Sequence, residues 1–286
     1  MTRIDAHHHL WDLSQTGQAW LQGPQMTPLR RAFALADLAP VAAAAGIDRT
    51  VLVQVLPDLD ETRGFLALVA RSELVAGVVG WVDLTGDDTA DVLAGLQSSP
   101  GGELLVGVRH LVQGEADPRW LCRPDVRRSL RALADAGLCY DLLTLPHQLS
   151  AAVETVRELP QLTFVLDHLS KPPIASGELE PWASLVRELA AEPNVYCKLS
   201  GLVTEADHGS WTVSELRPYA QTVLDAFGPE RLMFGSDWPV CLLAASYAEV
   251  ADTAEQLVAE LTKDEQAAIF GGAAARAYRL ALPMSG

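Results

Sequence analysis

The sequence predicts an α/β protein of one kind, a single (β/α)₈ TIM barrel filling residues 1–286, and three observations carry that expectation. The chain has 286 residues, a modest excess over the roughly 250 that eight strand–helix units need. Eight short apolar, β-branched runs recur along it, each separated from the next by enough chain for one helix. No Gly-rich phosphate-binding turn follows the first run, as it normally would in an open doubly wound sheet.

The first run is IDAHHHLW from Ile4. TVLVQVLP follows from Thr50, VAGVVGWVDL from Val75, LVGVRHLV from Leu105 and CYDLLTLP from Cys139. TFVLDHLS from Thr163, VYCKLSGL from Val195 and LMFGSDWPV from Leu232 complete the set. Between them, LADLAPVAAAAG, TRGFLALVARS, RPDVRRSLRALADAG, LSAAVETVREL and PWASLVRELAAE repeat apolar residues at three- and four-residue spacing, the period of a helix with one buried face. Thr212 with Glu215, Ser246 with Glu249 and Thr262 with Glu265 have the spacing of capping boxes, so a helix is expected to start at each. Gly46 and Gly137 stand where helices should stop, and the last helix is expected to end near Leu280. This leaves no room for a second domain.

Composition narrows the function. The formal charge of −16 and the pI near 4.7 oppose binding to phosphate backbones or anionic membrane surfaces, which need clustered Lys and Arg. Small-molecule chemistry remains. Cys122, Cys139, Cys197 and Cys241 form no CxxC pair, so buried thiols are expected rather than a zinc knuckle or a redox dithiol. MTRIDAHHHL has no long apolar core and reads as neither signal peptide nor membrane span, which makes a reducing cytoplasm the expected compartment.

The catalytic end of such a barrel is the carboxyl end of its strands. In the first run Asp5, His7 and His9 occupy alternate positions and are expected to share one face, with His8 on the other. The sixth run ends in Asp167 and His168, and the eighth carries Asp237 just before Pro239. Each alone has a plain structural explanation: packed histidines, or a carboxylate capping a strand-to-helix turn. Two histidines, a third from another strand and an aspartate converging on one rim are a constellation that core packing rarely assembles. Gln54, Lys198, His147, Trp238 and Trp11 are weaker rim candidates for gripping a hydroxylated ligand. A pairing of Lys198 with Asp141, and Trp11 as a plug in the barrel end, are the competing readings. His110 and His208 are expected to be structural or surface residues.

Together IDAHHHLWD, GVVGWVDL, GVRHLVQ, YDLLTLPHQL, FVLDHLSKPPI, NVYCKLSGLVTEAD and RLMFGSDWPVC resemble the amidohydrolase superfamily over nearly the whole chain. The likeness is to its lactonase branch, which includes L-fuconolactonase, L-rhamnonolactonase and pyrone-dicarboxylate lactonase. The resemblance implies that His7 and His9 with Asp237 surround the site of water activation. It further implies that Asp237 is the general base, that His168 orients or polarises, and that Arg109 contacts substrate. No lysine lies in the fourth run to bridge two metals and no histidine in the body of the fifth, so a binuclear site is not expected. One zinc on His7, His9 and Asp237 suits the three-ligand rule for catalytic zinc, and a metal-free site stays open. The expected activity is opening of a neutral sugar lactone to its aldonic acid, since Arg109 is the sole arginine at a strand end. An amidase or a nonoxidative decarboxylase on the same barrel is the alternative. A homodimer is a common state for such barrels, and no residue here argues for it.

Overall fold

The computed structural model describes residues 2–14 and 17–282. Its strands are β1 (Ile4–His8), β2 (Arg49–Val53), β3 (Val75–Gly80), β4 (Leu105–His110), β5 (Cys139–Leu142), β6 (Phe164–Leu166), β7 (Val195–Leu199) and β8 (Leu232–Phe234). They lie side by side in sequence order, every neighbouring pair parallel. The ring is closed by the Asp237 amide donating to the His7 carbonyl (2.9 Å) and the His9 amide donating to the Trp238 carbonyl (2.7 Å).

Around the strands run α1 (Leu35–Ala44), α2 (Leu59–Val69), α3 (Thr89–Gln97), α4 (Pro124–Asp135), α5 (Leu149–Glu158) and α6 (Trp182–Ala190). After them come the single turn α7 (Leu202–Glu205), then α8 (Val213–Phe227), α9 (Tyr247–Leu257), α10 (Lys263–Ala267) and α11 (Ala273–Ala277). The three anticipated capping boxes open α8, α9 and α10, each with both reciprocal bonds formed. Among the described residues, no helix is long and apolar enough to cross a membrane.

Two apolar layers hold the barrel. Leu52, Val78, Tyr140, Phe164 and Phe234 face outward onto Leu66, Leu130, Val153 and Val223 of the helices. Ile4, Ala6, Val51, Val53, Val79, Val165 and Met233 face inward and pack with Ala273, Ala277 and Tyr278. The last helix thus plugs the amino-terminal end of the barrel, while the opposite end stays open.

One expectation about β1 is corrected. Asp5 stands opposite Thr50 but His8 opposite Leu52, three steps on one strand against two on the other, which is a β-bulge. Strict alternation is lost there. Ala6 and His7 both turn inward, while Asp5 turns outward and accepts from the Ser236 amide (2.8 Å), the Ser236 hydroxyl (2.6 Å) and the Tyr247 hydroxyl of α9 (2.9 Å). Asp5 therefore ties β1 to β8 and α9 instead of sharing a face with His7 and His9. His8 faces outward as expected, bonded to the Thr50 hydroxyl (3.0 Å).

Candidate active site

At the open end, β1, the turn after β6 and the turn after β8 bring four side chains together. His7 Nε2 and His9 Nε2 are 3.1 Å apart. Asp237 Oδ1 lies 3.5 Å from His9 Nε2 and 3.8 Å from both His7 Nε2 and His168 Nε2. A carbonyl can only accept, so in the 2.8 Å contact of His9 Nδ1 with the Val53 carbonyl the ring donates from Nδ1, and Nε2 is the atom turned towards His7 and Asp237. All four residues are buried to within a few per cent.

Unusual backbone builds the site. His168, Leu169, Ser170 and Lys171 all have left-handed φ between 49° and 59°, and Asp237 has φ 55°. L-residues pay roughly 1–2 kcal/mol each for that region, so surrounding contacts must hold the turn. Trp182 Nε1 donates to the Leu169 carbonyl (2.7 Å), Ser170 shares a hydroxyl contact with Thr144 (2.8 Å) and His168 Nδ1 contacts the Ser200 hydroxyl (2.9 Å). Gly201, at φ 67°, lies against the His168 ring; a Cβ there would sit 2.7 Å from Nδ1.

Beneath the histidines is a fully buried charged layer. Lys198 Nζ lies 2.6 Å from Asp141, 2.8 Å from Asp167 and 3.0 Å from His7 Nδ1. Arg109 Nη1 donates to Asp167 (3.0 Å) and Nη2 to the Gln54 carbonyl (2.6 Å). Tyr278 donates to Asp141 (2.8 Å) from below. Two cations face two carboxylates, so the layer is neutral. Burial raises the Asp141 carboxyl to about 6, against the pull of Lys198. Burial would raise Asp167 too, but Lys198, His7 and Arg109 hold it well below the usual carboxylate range.

The titration of the upper groups follows from the same setting. Burial, then the charge of Lys198, takes His7 well below the usual imidazole value, and burial lowers His168 to about 4 despite Asp237. Both rings are neutral at pH 7. Burial acts to raise Asp237, yet His168, His9 and Lys171 together bring it below its ordinary value, so it is a carboxylate.

Above this lies a cavity of about 590 Å³, with His9, Arg109, His168 and Asp237 among its lining. The lining also includes the polar Lys171, Glu205, Thr204 and His208 and the apolar Leu56, Leu111 and Leu243, with Trp20. Five anticipated rim residues are not in the lining. Gln54 follows inward-facing Val53, so its side chain turns away, and its amide donates to the Arg109 carbonyl (3.2 Å). Lys198 points inward but one layer too low. Trp11 and Trp238 sandwich Phe33 behind the wall, at ring separations of 5.2 and 5.3 Å. His147 is solvent-exposed on the short turn Pro146–Gln148. His110 stacks on Trp120 (4.2 Å) and bonds Glu115 (2.7 Å), a structural role as expected, whereas His208 reaches the cavity rim. Lys171 and Glu205 were not anticipated. HLSKP hints at Lys171, but only the left-handed turn brings it round to the cavity.

The donor atoms suit one small cation. Ligands about 2.0–2.1 Å from a tetrahedral zinc are roughly 3.3–3.4 Å from one another, and the separations among His7, His9 and Asp237 span 3.1–3.8 Å. His7, His168 and Asp237 form an overlapping triad with donor atoms within 4.8 Å. Asp167 Oδ1, buried 2.8 Å from Lys198 Nζ and 3.4 Å from His7 Nδ1, is placed to accept a hydrogen bond from His7 Nδ1 when its Nε2 serves as a ligand.

The amidohydrolase sequence profile matches residues 4–280. L-fucono-1,5-lactonases of Burkholderia ambifaria and Burkholderia multivorans are each 40% identical to the chain over 98% of its length and 97% of theirs. A crystal structure of a zinc-bound amidohydrolase from Burkholderia multivorans superposes with a TM-score of 0.92 at 38% identity, covering 98% of this chain and 100% of that one. On the match over residues 4–280 and these near-full-length likenesses, the chain belongs to the amidohydrolase family.

Proposed function

We propose that the protein hydrolyses a sugar lactone, a 6-deoxy-L-sugar 1,5-lactone of the fuconolactone type, to the aldonic acid. The observation that carries this reading is a buried, ionised Asp237 facing His7, His9 and His168 at the floor of a cavity that Arg109 also lines. The 40% identity to two L-fucono-1,5-lactonases supports the choice of substrate. So does the scarcity of cations around the cavity, which suits a neutral ring better than a diacid.

Lactone opening requires a base for the attacking water, donors for the carbonyl oxygen as it becomes an anion, and a proton for the departing ring oxygen. Asp237 takes the water's proton. The water oxygen bonds to the carbonyl carbon, and the carbonyl π pair moves onto oxygen, where His168 and Arg109 face it. As the ring C–O bond breaks, Asp237 returns the proton to the alkoxide. His9 and Ser200 keep Asp237 and His168 in register. One zinc on His7, His9 and Asp237 would add Lewis acidity at the same spot.

The test is the initial rate of acid release across aldonolactones, simple aliphatic lactones and pyrone acids, with and without chelator, for wild type and Asp237→Asn. Turnover of deoxy-L-sugar lactones is expected, with a loss of about 10²–10⁴-fold in the variant. No lactone turnover would leave an amidase or a decarboxylase, and near-normal turnover by Asp237→Asn would refute the base. Chelator sensitivity reads the zinc.

A further inference from the structure

We infer that Lys171 is a further catalytic residue, its ammonium group holding the lactone carbonyl oxygen as it becomes an oxyanion, with Glu205 as its positioning partner. The inference rests on the sugar-lactone reading and deepens it.

Three observations lead there. First, Lys171 ends the run of four left-handed residues that begins at His168. Backbone held in sparsely populated regions persists where surrounding structure enforces it, and the residues it displays are candidates for function. This turn displays His168 at one end and Lys171 at the other, and both line the cavity with Asp237.

Second, the two permanent cations among the described lining residues differ in what they have left to give. Arg109 is almost wholly buried, with Nη1 on Asp167 and Nη2 on the Gln54 carbonyl. It serves the charged layer below as well as the cavity. Lys171 Nζ has three donor protons and one bond shown, to Glu205 Oε1 at 3.1 Å, and its side chain is a quarter exposed. It has donors to spare for a ligand.

Third, Lys171 and its partner Glu205 open onto the same cavity as Asp237, His168 and Arg109, so a lactone seated against Asp237 is in the space that the ammonium group borders. A cation there faces the oxygen that gains charge while Asp237 takes the proton. Glu205, on α7, holds the flexible lysine stem at the cavity wall; without it the ammonium group has many rotamers.

The step balances without any change at lysine. The water oxygen adds to the carbonyl carbon, and the π pair becomes an oxyanion held by Lys171 N–H. On collapse the ring C–O bond breaks, and the alkoxide is protonated by Asp237. Lys171 keeps all its protons.

The experiment compares wild type, Lys171→Met, Lys171→Arg and Glu205→Gln on a 6-deoxy-L-sugar 1,5-lactone. Loss of one oxyanion donor typically lowers kcat about 10²-fold or more, and kcat and kcat/KM should fall together when an interaction made only in the transition state is removed. Lys171→Arg should recover part of that loss, and Glu205→Gln should lie between wild type and Lys171→Met. Melting temperatures should stay close to wild type, because a partly exposed ion pair contributes little to stability. Lys171→Met with an unchanged kcat, or with a rise in KM alone, would overturn the assignment while leaving the lactonase reading in place. Wild-type protein that opens no sugar lactone would overturn both.

Discussion

Asp237 and His168 both sit in left-handed backbone, and each is held there by neighbours that a change of one atom can disturb. Gly201 is the sharpest case, because its missing Cβ is what lets the His168 ring lie against β7's carboxyl end. Gly201→Ala should displace His168, adding both a clash and an unfavourable φ. The expected outcome is a fall of about 10²-fold or more in kcat/KM, the size that removal or misplacement of a catalytic group by about 1 Å brings. Steady-state kinetics with a melting curve would check it, and unchanged kinetics would show that the ring has room to move. At this scale the sequence was partly legible. His7, His9, His168 and Asp237 could be picked out as polar residues at strand ends, Arg109 only through the family resemblance, and the five fall together in space. Lys171 and Glu205 escaped because non-glycine left-handed turns leave no mark in composition. Lys198 and Gln54 were placed one layer or one face off, since a strand end tells which way a side chain points but not how deep the charged layer reaches.

Among elements, the turn from β2 into α2 has the most to reveal. Glu61, in the first turn of α2, accepts from the Val55 and Leu56 amides at 2.8 and 3.0 Å, and those two residues line the cavity. Burial pushes its carboxyl up to about 7, against the pull of both amides and of Arg109. The unfolded chain titrates this group near 4.5, so the folded state binds the proton more tightly. Its contribution to stability is full below that value, declines as pH rises towards 7 and is level above. Glu61→Gln keeps an acceptor for the amides and has no proton to lose, so its melting temperature should fall less than wild type's between pH 4.5 and 7. Parallel curves for the two proteins would show that Glu61 does not titrate in this window. Helix starts were plainer to read than this turn: Thr212, Ser246 and Thr262 announce α8, α9 and α10 through chemistry local to four residues. The bulge in β1 was not readable, because it depends on the pairing with β2, and it is the reason Asp5 faces outward.

Over the whole molecule, the layer of Arg109, Asp141, Asp167 and Lys198 divides a cavity above from a helical plug below. The eightfold alternation was legible because strands and helices differ in hydrophobic period; that α11 would fill the floor was not, because AAARAY is only a short alanine-rich segment until the barrel gives it an interior to occupy. Removing one member of a buried charged set strands its partners, typically by about 3–5 kcal/mol. Lys198→Met, which leaves two carboxylates without their shared cation, should lower the urea-unfolding free energy by that amount, and a change under about 1 kcal/mol would mean the layer rearranges freely. The plug has another consequence. A ribosome makes His7 and His9 first, but Asp237 only some 230 residues later and Tyr278 later still. Until β8 leaves the exit tunnel the nascent sheet has two open edges, and until Tyr278 follows, the carboxylate of Asp141 lacks its donor from below. Chains halted before that point would have the site's histidines without its base or floor, and would present themselves to chaperones and proteases as unfinished barrels.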